Sequence, residues 1–242
     1  MQPAQIAELL EPFVVQAQSP RRDAQSLFQD ISTYIDILLR WNAKMNLTAI
    51  RQPEEIVTRH FGESLFAARH LFPSHVETAA IGCLAERSSV HGADRGFTRG
   101  EDQGPKSGQT VADLGSGAGF PGIPIKLWAP QISLTLIESN QKKATFLREI
   151  ARALTLTDIN IQNARAETIS DRFGVVTLRA VERFDSILPT AASLLAPGAR
   201  LALLIGEDQV PATHHTLQEM AWSDPLPIPQ SQSRVLLIGQ ST

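Results

Sequence analysis

Three alternating glycines, at 115, 117 and 119, follow Asp113, and Glu138 stands about 20 residues beyond them. Without a Cβ, a glycine turn lets backbone lie directly against a ligand. A carboxylate at that distance, ending the next strand, can accept hydrogen bonds from both hydroxyls of a ribose. Asp113 adds a second carboxylate beside the glycines. It would repel a pyrophosphate and attract a cation. Gly117 to Gly122 also fits G-x-G-x-x-G literally, so a nicotinamide-dependent oxidoreductase stays open on spacing alone. The acid beside the glycines favours the cationic amino-acid end of S-adenosylmethionine.

These residues need a strand, a tight turn and a helix to hold them. Val111 to Leu114 is apolar and breaks into the glycines, and Pro121 suits the start of a helix. From Thr110 onward strands are expected at 110–114, 132–138, 158–162, 173–178, 199–205 and near 234–239. Helices are expected at about 122–128, 141–154, 183–195 and 211–221, with Pro197-Gly198 separating the third of these from its strand. This alternation implies an α/β chain with a Rossmann-like, mostly parallel sheet and helices on both faces.

Residues 1 to about 72 read differently. Ile6, Leu9, Leu10, Phe13 and Val14 recur at helical spacing, as do Leu27, Phe28, Ile31, Tyr34, Ile35, Leu38 and Leu39. Pro53 opens a third helix with Glu54 and Glu55 in its first turn, where a helix dipole favours acids. Between the second and third segments, Asn46 and Thr48 have the character of turn or cap residues. The chain therefore divides into a helical cap (1–78), a glycine-rich insertion (79–108) and an α/β domain (109–242).

Composition narrows the chemistry. The formal net charge of −3 excludes a wholly basic nucleic-acid binder, yet positive charge is concentrated mid-chain. From Gln141 to Arg183 eight Lys/Arg face five Asp/Glu, so an RNA footprint would be local. Cys83 is the single cysteine, which excludes an internal disulfide and a cysteine metal cluster. No metal is expected at the adjacent His214 and His215, which point to different helix faces. No apolar run approaches the length of a membrane span, and a cytoplasmic monomer without membrane partners is expected.

The run Asp113-Leu114-Gly115-Ser116-Gly117-Ala118-Gly119-Phe120-Pro121-Gly122-Ile123-Pro124 closely resembles the ribosomal RNA small subunit methyltransferase G family, also called glucose-inhibited division protein B. So do Glu138 to Lys143, Phe146-Leu147-Arg148, Trp41-Asn42, Asn46-Leu47-Thr48, Arg59-His60, Arg165-Ala166-Glu167 and Arg179-Ala180. The resemblance implies a class I methyltransferase that moves a methyl from S-adenosylmethionine to N7 of a guanosine in 16S rRNA, free or within the 30S subunit. It places Asp113, Gly115, Ser116, Gly117, Gly119, Phe120, Gly122, Glu138, Ser139, Ala166, Glu167 and Arg179 at the cofactor. It places Lys142, Arg165, Arg179 and His60 toward RNA, with Arg179 and Lys142 as positioning groups and no certain catalytic residue. The alternative role for Arg179 and Arg165 is a salt bridge to Glu167 or Glu182, and for His60 a packed structural role. The chain departs from the family pattern at Glu63, in place of a shorter acid, and at Ile205, in place of a lysine. The loss at 205 motivates a rival reading, a cofactor-binding ribosome assembly factor without turnover.

Overall fold

The computed structural model describes residues 1–14, 24–73, 110–180 and 184–242. The expected insertion at 79–108, together with Glu182 and Arg183, lies outside the described residues.

Thr110–Leu114 forms β1, with its last four residues buried, because a strand covered on both faces has no polar side to present. It lies between β2 (Ser133–Ile137) and β4 (Phe173–Arg179), parallel to both. With β3 (Ile159–Gln162), β5 (Leu195–Gly206), β6 (Ala221–Trp222), β7 (Leu226–Pro227) and β8 (Arg234–Gln240), the sheet runs β3-β2-β1-β4-β5-β8-β6, and β7 also pairs with β8. The first five strands are parallel, and β6, β7 and β8 enter antiparallel. Strand order reverses between β1 and β4, which opens a crevice at their carboxyl ends where ligands bind in such sheets.

Side chains alternate along the strands between two layers. Val111, Leu134, Leu136, Val175 and Ala202 share one core with the amino-terminal helices, whereas Ala112, Leu114, Val176, Leu178 and Leu203 face Leu188 and Ala191 on the other side. The amino-terminal helices are α1 (Pro3–Val14), α2 (Ala24–Asn42), α3 (Pro53–Glu55), a π-helical stretch (Ile56–Gly62) and α4 (Glu63–Leu71). Among the described residues four α-helices follow in the second part of the chain: α5 (Gly122–Trp128), α6 (Gln141–Ala153), α7 (Phe184–Ser193) and α8 (Val210–Thr216). Gly62 lets Phe13 of α1 seat on the π-helical stretch, since a Cβ there would come within 2.7 Å of the ring.

Three local expectations are corrected. Pro197-Gly198 lies inside β5 as an irregularity, with Phe173 opposite Leu195 and Val175 opposite Arg200; Gly198 adopts φ +72°. The helix expected at 211–221 ends at Thr216, and Ala221–Trp222 pairs with β8 instead. Trp222 packs over Gly239, where any Cβ would collide with the indole at 2.7 Å. A short apolar run does not reveal such a partner. The turn before α3 is organised by Asn42 rather than by Asn46. Asn42 Oδ1 accepts from Leu47 N and Thr48 N, and its Nδ2 donates to Thr48 O.

Candidate functional site

At the crevice, Gly115 N and Ser116 N both donate to Ile137 O, at 2.9 and 3.2 Å, tying the glycine turn to the end of β2. Glu138 follows directly and is 6% exposed. Its Oε2 accepts from Gly117 N at 2.9 Å and its Oε1 from Asn140 N at 2.7 Å. Two backbone donors fix the carboxylate and leave it further acceptor positions. Asn163, which the sequence did not single out, donates from Nδ2 to Glu138 O and Ser139 O at 2.9 and 3.0 Å. Ser139, Arg165 and Glu167 are exposed, and Ala166 is half-buried in the short 3-10 turn Ala166–Thr168.

The glycine loop divides in two. Gly115 is exposed at φ +65°; Gly117, at φ +54°, has nothing nearer than Gly115 O, 3.6 Å from a notional Cβ. This open backbone surface beside a fixed carboxylate fits a ribose-bearing cofactor. Gly119 and Gly122 face inward instead. A Cβ on Gly119 would collide with the Tyr34 hydroxyl, and one on Gly122 would lie 2.6 Å from Leu136 and 2.8 Å from Asp113 Oδ2. The Ser116 hydroxyl also turns inward, donating to Asp113 O at 2.8 Å.

Phe120 is 5% exposed and sandwiched in the helical layer, stacked 5.4 Å from Tyr34 and 4.7 Å from His60, with Phe61 edge-on at 5.0 Å. Tyr34 donates to Ala118 O at 2.6 Å. Phe120 is thus the anchor by which the helical layer holds the loop. An aromatic beside glycines reads as a ligand contact until its stacking partners, from about 60 and 86 residues away, are known.

Asp113 is also behind the loop. It is fully buried, and accepts from Thr177 Oγ1 at 2.9 Å and Gly122 N at 3.2 Å. Burial pushes its pKa up to about 7, against the opposing pull of the Thr177, Gly122 and Ser116 hydrogen bonds and of Arg179. These bonds make Asp113 a brace between β1, β4 and α5.

His60 is 7% exposed, with Nε2 2.7 Å from Thr48 Oγ1 and Nδ1 without a partner. Burial first, then Arg179, Arg59 and Arg234, lower its pKa to about 3. The ring is buried and stacked on Phe120 within the helical layer.

Arg179 ends β4 at the crevice, as expected, but its side chain turns back to the helical layer. Nε and Nη2 donate to Glu63 Oε2 at 3.2 and 3.1 Å, and Nη2 also donates to Arg59 O at 2.8 Å. Among the described residues Glu63 rather than Glu167 pairs with Arg179, across 116 residues of sequence, and Glu182 lies outside the described residues. Arg234 Nε lies 3.1 Å from Glu63 Oε2 and Arg59 Nε 3.5 Å from Oε1, so one buried carboxylate is ringed by three guanidiniums. Arg234 faces Gly206 across β5 and β8, and with Arg179 and Ile205 it lines a cavity of ≈ 50 Å³ at the strand ends. Charge absent at Ile205 is thus present one strand away.

Lys142 is exposed in the first turn of α6, whose cap Asn140 accepts from Lys142 N and Lys143 N at 2.9 and 3.2 Å. The structure therefore links Gly117, Glu138, Ser139, Asn140 and Asn163 by hydrogen bonds, with Gly115 tied to the end of β2, while the side chains of Ser116, Phe120, Asp113, His60 and Arg179 are engaged within the protein. Among the described residues no group of three His, Cys, Asp or Glu could hold a metal ion, and no helix is long and apolar enough to cross a membrane.

Residues 27–83 and 102–229 match the family model described as rRNA small subunit methyltransferase G. A ribosomal RNA small subunit methyltransferase G from Halorhodospira halophila is 34% identical over 221 residues, covering 90% of this chain and 88% of its own. Its counterpart from Xanthomonas campestris pv. campestris is 34% identical over 203 residues, covering 81% and 79%. A solved ribosomal protein L11 methylase from Lactobacillus delbrueckii subsp. bulgaricus is similar at 20% identity and TM-score 0.48, over 55% of this chain and 70% of its own.

Proposed function

The chain belongs to the rRNA small subunit methyltransferase G family, and from that membership we infer that it is an enzyme that methylates small-subunit ribosomal RNA using S-adenosylmethionine, at N7 of a guanosine. The observation that carries the reading is Glu138, held by Gly117 N and Asn140 N beside the open backbone of Gly115 and Gly117. A carboxylate so fixed accepts ribose hydroxyls, and the bare backbone admits the rest of the cofactor to van der Waals contact.

Bound S-adenosylmethionine supplies an electrophilic methyl group. Guanine N7 carries a lone pair and no proton, so this chain needs no general base. The work of its residues is placement. Glu138, Ala166 and Glu167 fix the cofactor end of the crevice, and the buried Glu63 and Arg179 pair fixes the angle between the helical layer and β4. Lys142 and Arg165, exposed beside the crevice, meet RNA phosphate. Alignment of two reactants accounts for much of the acceleration in such a transfer. The substrate is rRNA or the 30S particle that contains it.

The test is transfer of labelled methyl from S-adenosylmethionine to 30S subunits and to protein-free 16S rRNA, with the base mapped by m7G-selective cleavage. One cleavage site is expected. Label on RNA without cleavage would refute the N7 assignment, and cofactor binding without transfer to either substrate would favour the non-catalytic assembly factor.

A further inference from the structure

Beside the crevice lies a groove that the methyl-transfer chemistry does not use. It lies between the carboxyl end of α2 and the start of α6, is lined by Arg40, Trp41, Lys44, Met45, Lys142 and Glu149, and encloses ≈ 430 Å³. That volume is within the range of about 300–1,000 Å³ typical of small-molecule sites. Trp41 is half-buried. Its Nε1 donates to Glu149 Oε2 at 2.9 Å, and Phe146 meets the indole at 5.7 Å and 68°, so the ring is held in one orientation.

Charge at the groove is one-sided. Among the described residues three cations line it against one carboxylate, and that carboxylate is engaged by the indole. Arg40, Lys44 and Lys142 are exposed. A rigid aromatic platform among exposed cations is the pattern that stacks an unpaired base and neutralises its phosphate. The groove also joins the cofactor edge through a single turn. Glu138 accepts from Asn140 N, and Asn140 caps the helix that carries Lys142.

We propose that this groove seats one unpaired nucleotide of the RNA flanking the methylated guanosine, its base on Trp41 and Met45 and its phosphate among Arg40, Lys44 and Lys142. The proposal rests on the rRNA methyltransferase reading and names a substrate subsite beyond the crevice. Binding of one flanking nucleotide here would orient the target base before any chemistry.

The test measures binding, which does not depend on turnover. Filter retention gives dissociation constants for protein-free 16S rRNA and for 30S subunits, with calorimetry for S-adenosylmethionine, on wild type, Trp41→Phe and the double charge reversal Arg40→Glu/Lys44→Glu. The charge reversal alters exposed side chains only, so it remains informative if the indole change loosens α2. Expected is a loss of about 10-fold or more in affinity for both RNA forms in the charge reversal, with cofactor affinity unchanged. The slope of log K against log salt should fall by about 0.7 for each phosphate that is no longer neutralised. Trp41→Phe should weaken RNA binding about 5-fold or more without changing that slope.

Unchanged RNA affinity in both variants overturns the proposal. A loss confined to 30S subunits overturns it in favour of a ribosomal-protein contact, and a parallel loss of cofactor affinity reassigns the groove to the cofactor edge. Wild type that binds RNA in this way yet transfers no methyl would leave the groove standing and sink the enzymatic reading.

Discussion

Removing the charge of Glu63 should be among the most damaging single changes to this protein, although the residue is far from the glycine loop in sequence. Its side chain is 2% exposed, that of Arg179 8%, that of Arg234 21% and that of Arg59 47%. The half-exposed Arg59 pair is an i,i+4 helix contact, worth about 0.3–0.5 kcal/mol. Arg179 dominates, because deleting one partner of a buried pair leaves an uncompensated charge at a cost of about 3–5 kcal/mol. Glu63→Ala should therefore lose about 3–5 kcal/mol. Glu63→Gln keeps volume and one acceptor oxygen, isolates the charge, and should lose about 2–3 kcal/mol. Against a total stability of about 5–15 kcal/mol, either change is large.

The assay is urea unfolding by circular dichroism, comparing midpoints at a common slope. A double-mutant cycle with Arg179→Met then separates the pair from its surroundings. The coupling energy should be about 2 kcal/mol, because the double variant no longer buries an orphan guanidinium at that position. A coupling below about 0.5 kcal/mol would refute the claim that Glu63 and Arg179 lock the helical layer to β4.

Other perturbations separate roles within the loop. Gly117→Ala adds a Cβ into open space, so stability should fall by only about 1–2 kcal/mol for the left-handed backbone while cofactor affinity falls sharply. Gly119→Ala collides with the Tyr34 hydroxyl at φ +85° and should show the reverse emphasis, a lowered melting temperature first. Glu138→Gln should weaken S-adenosylmethionine binding about 10-fold or more by calorimetry, since charged acceptors contribute about 1.5–3 kcal/mol; wild-type affinity would remove Glu138 from the cofactor site. Stability against pH should be nearly flat between about pH 4 and 6.5, because two buried groups oppose each other there. Asp113, raised to about 7, stabilises the fold below its usual carboxylate range and loses that contribution as pH rises toward 7. His60, lowered to about 3, stabilises above about 6.5 and loses that contribution as pH falls toward 3. Asp113→Asn should expose an acid-labile slope of up to about 1.4 kcal/mol per pH unit, and His60→Gln a slope of opposite sign. Parallel pH profiles for the two variants would contradict the assignment.

Local sequence was enough for the parallel half of the sheet. β1 matched its expected bounds, α5 began and ended where the proline and glycines placed it, and Glu138 ended its strand beside the glycine turn. Short-range pattern governs those features, because buried parallel strands read as continuous apolar runs and glycines mark the turns. The direction in which a side chain points was decided elsewhere. Phe120 and Gly119 belong to the same motif as Gly117, yet Tyr34, His60 and Phe61, brought in by helices far upstream, turn the second half of that motif into core. Arg179 was legible as a residue at the crevice, and only the fold supplied Glu63 as its partner and Arg234 as the neighbouring cation. Burial makes pairing of a charge obligatory, but it does not specify which distant residue provides the partner. The sequence alone determined the family resemblance and the strand, turn and carboxylate at the crevice, because these follow from local pattern; tertiary packing decided which motif residues stay open and which are buried in the frame.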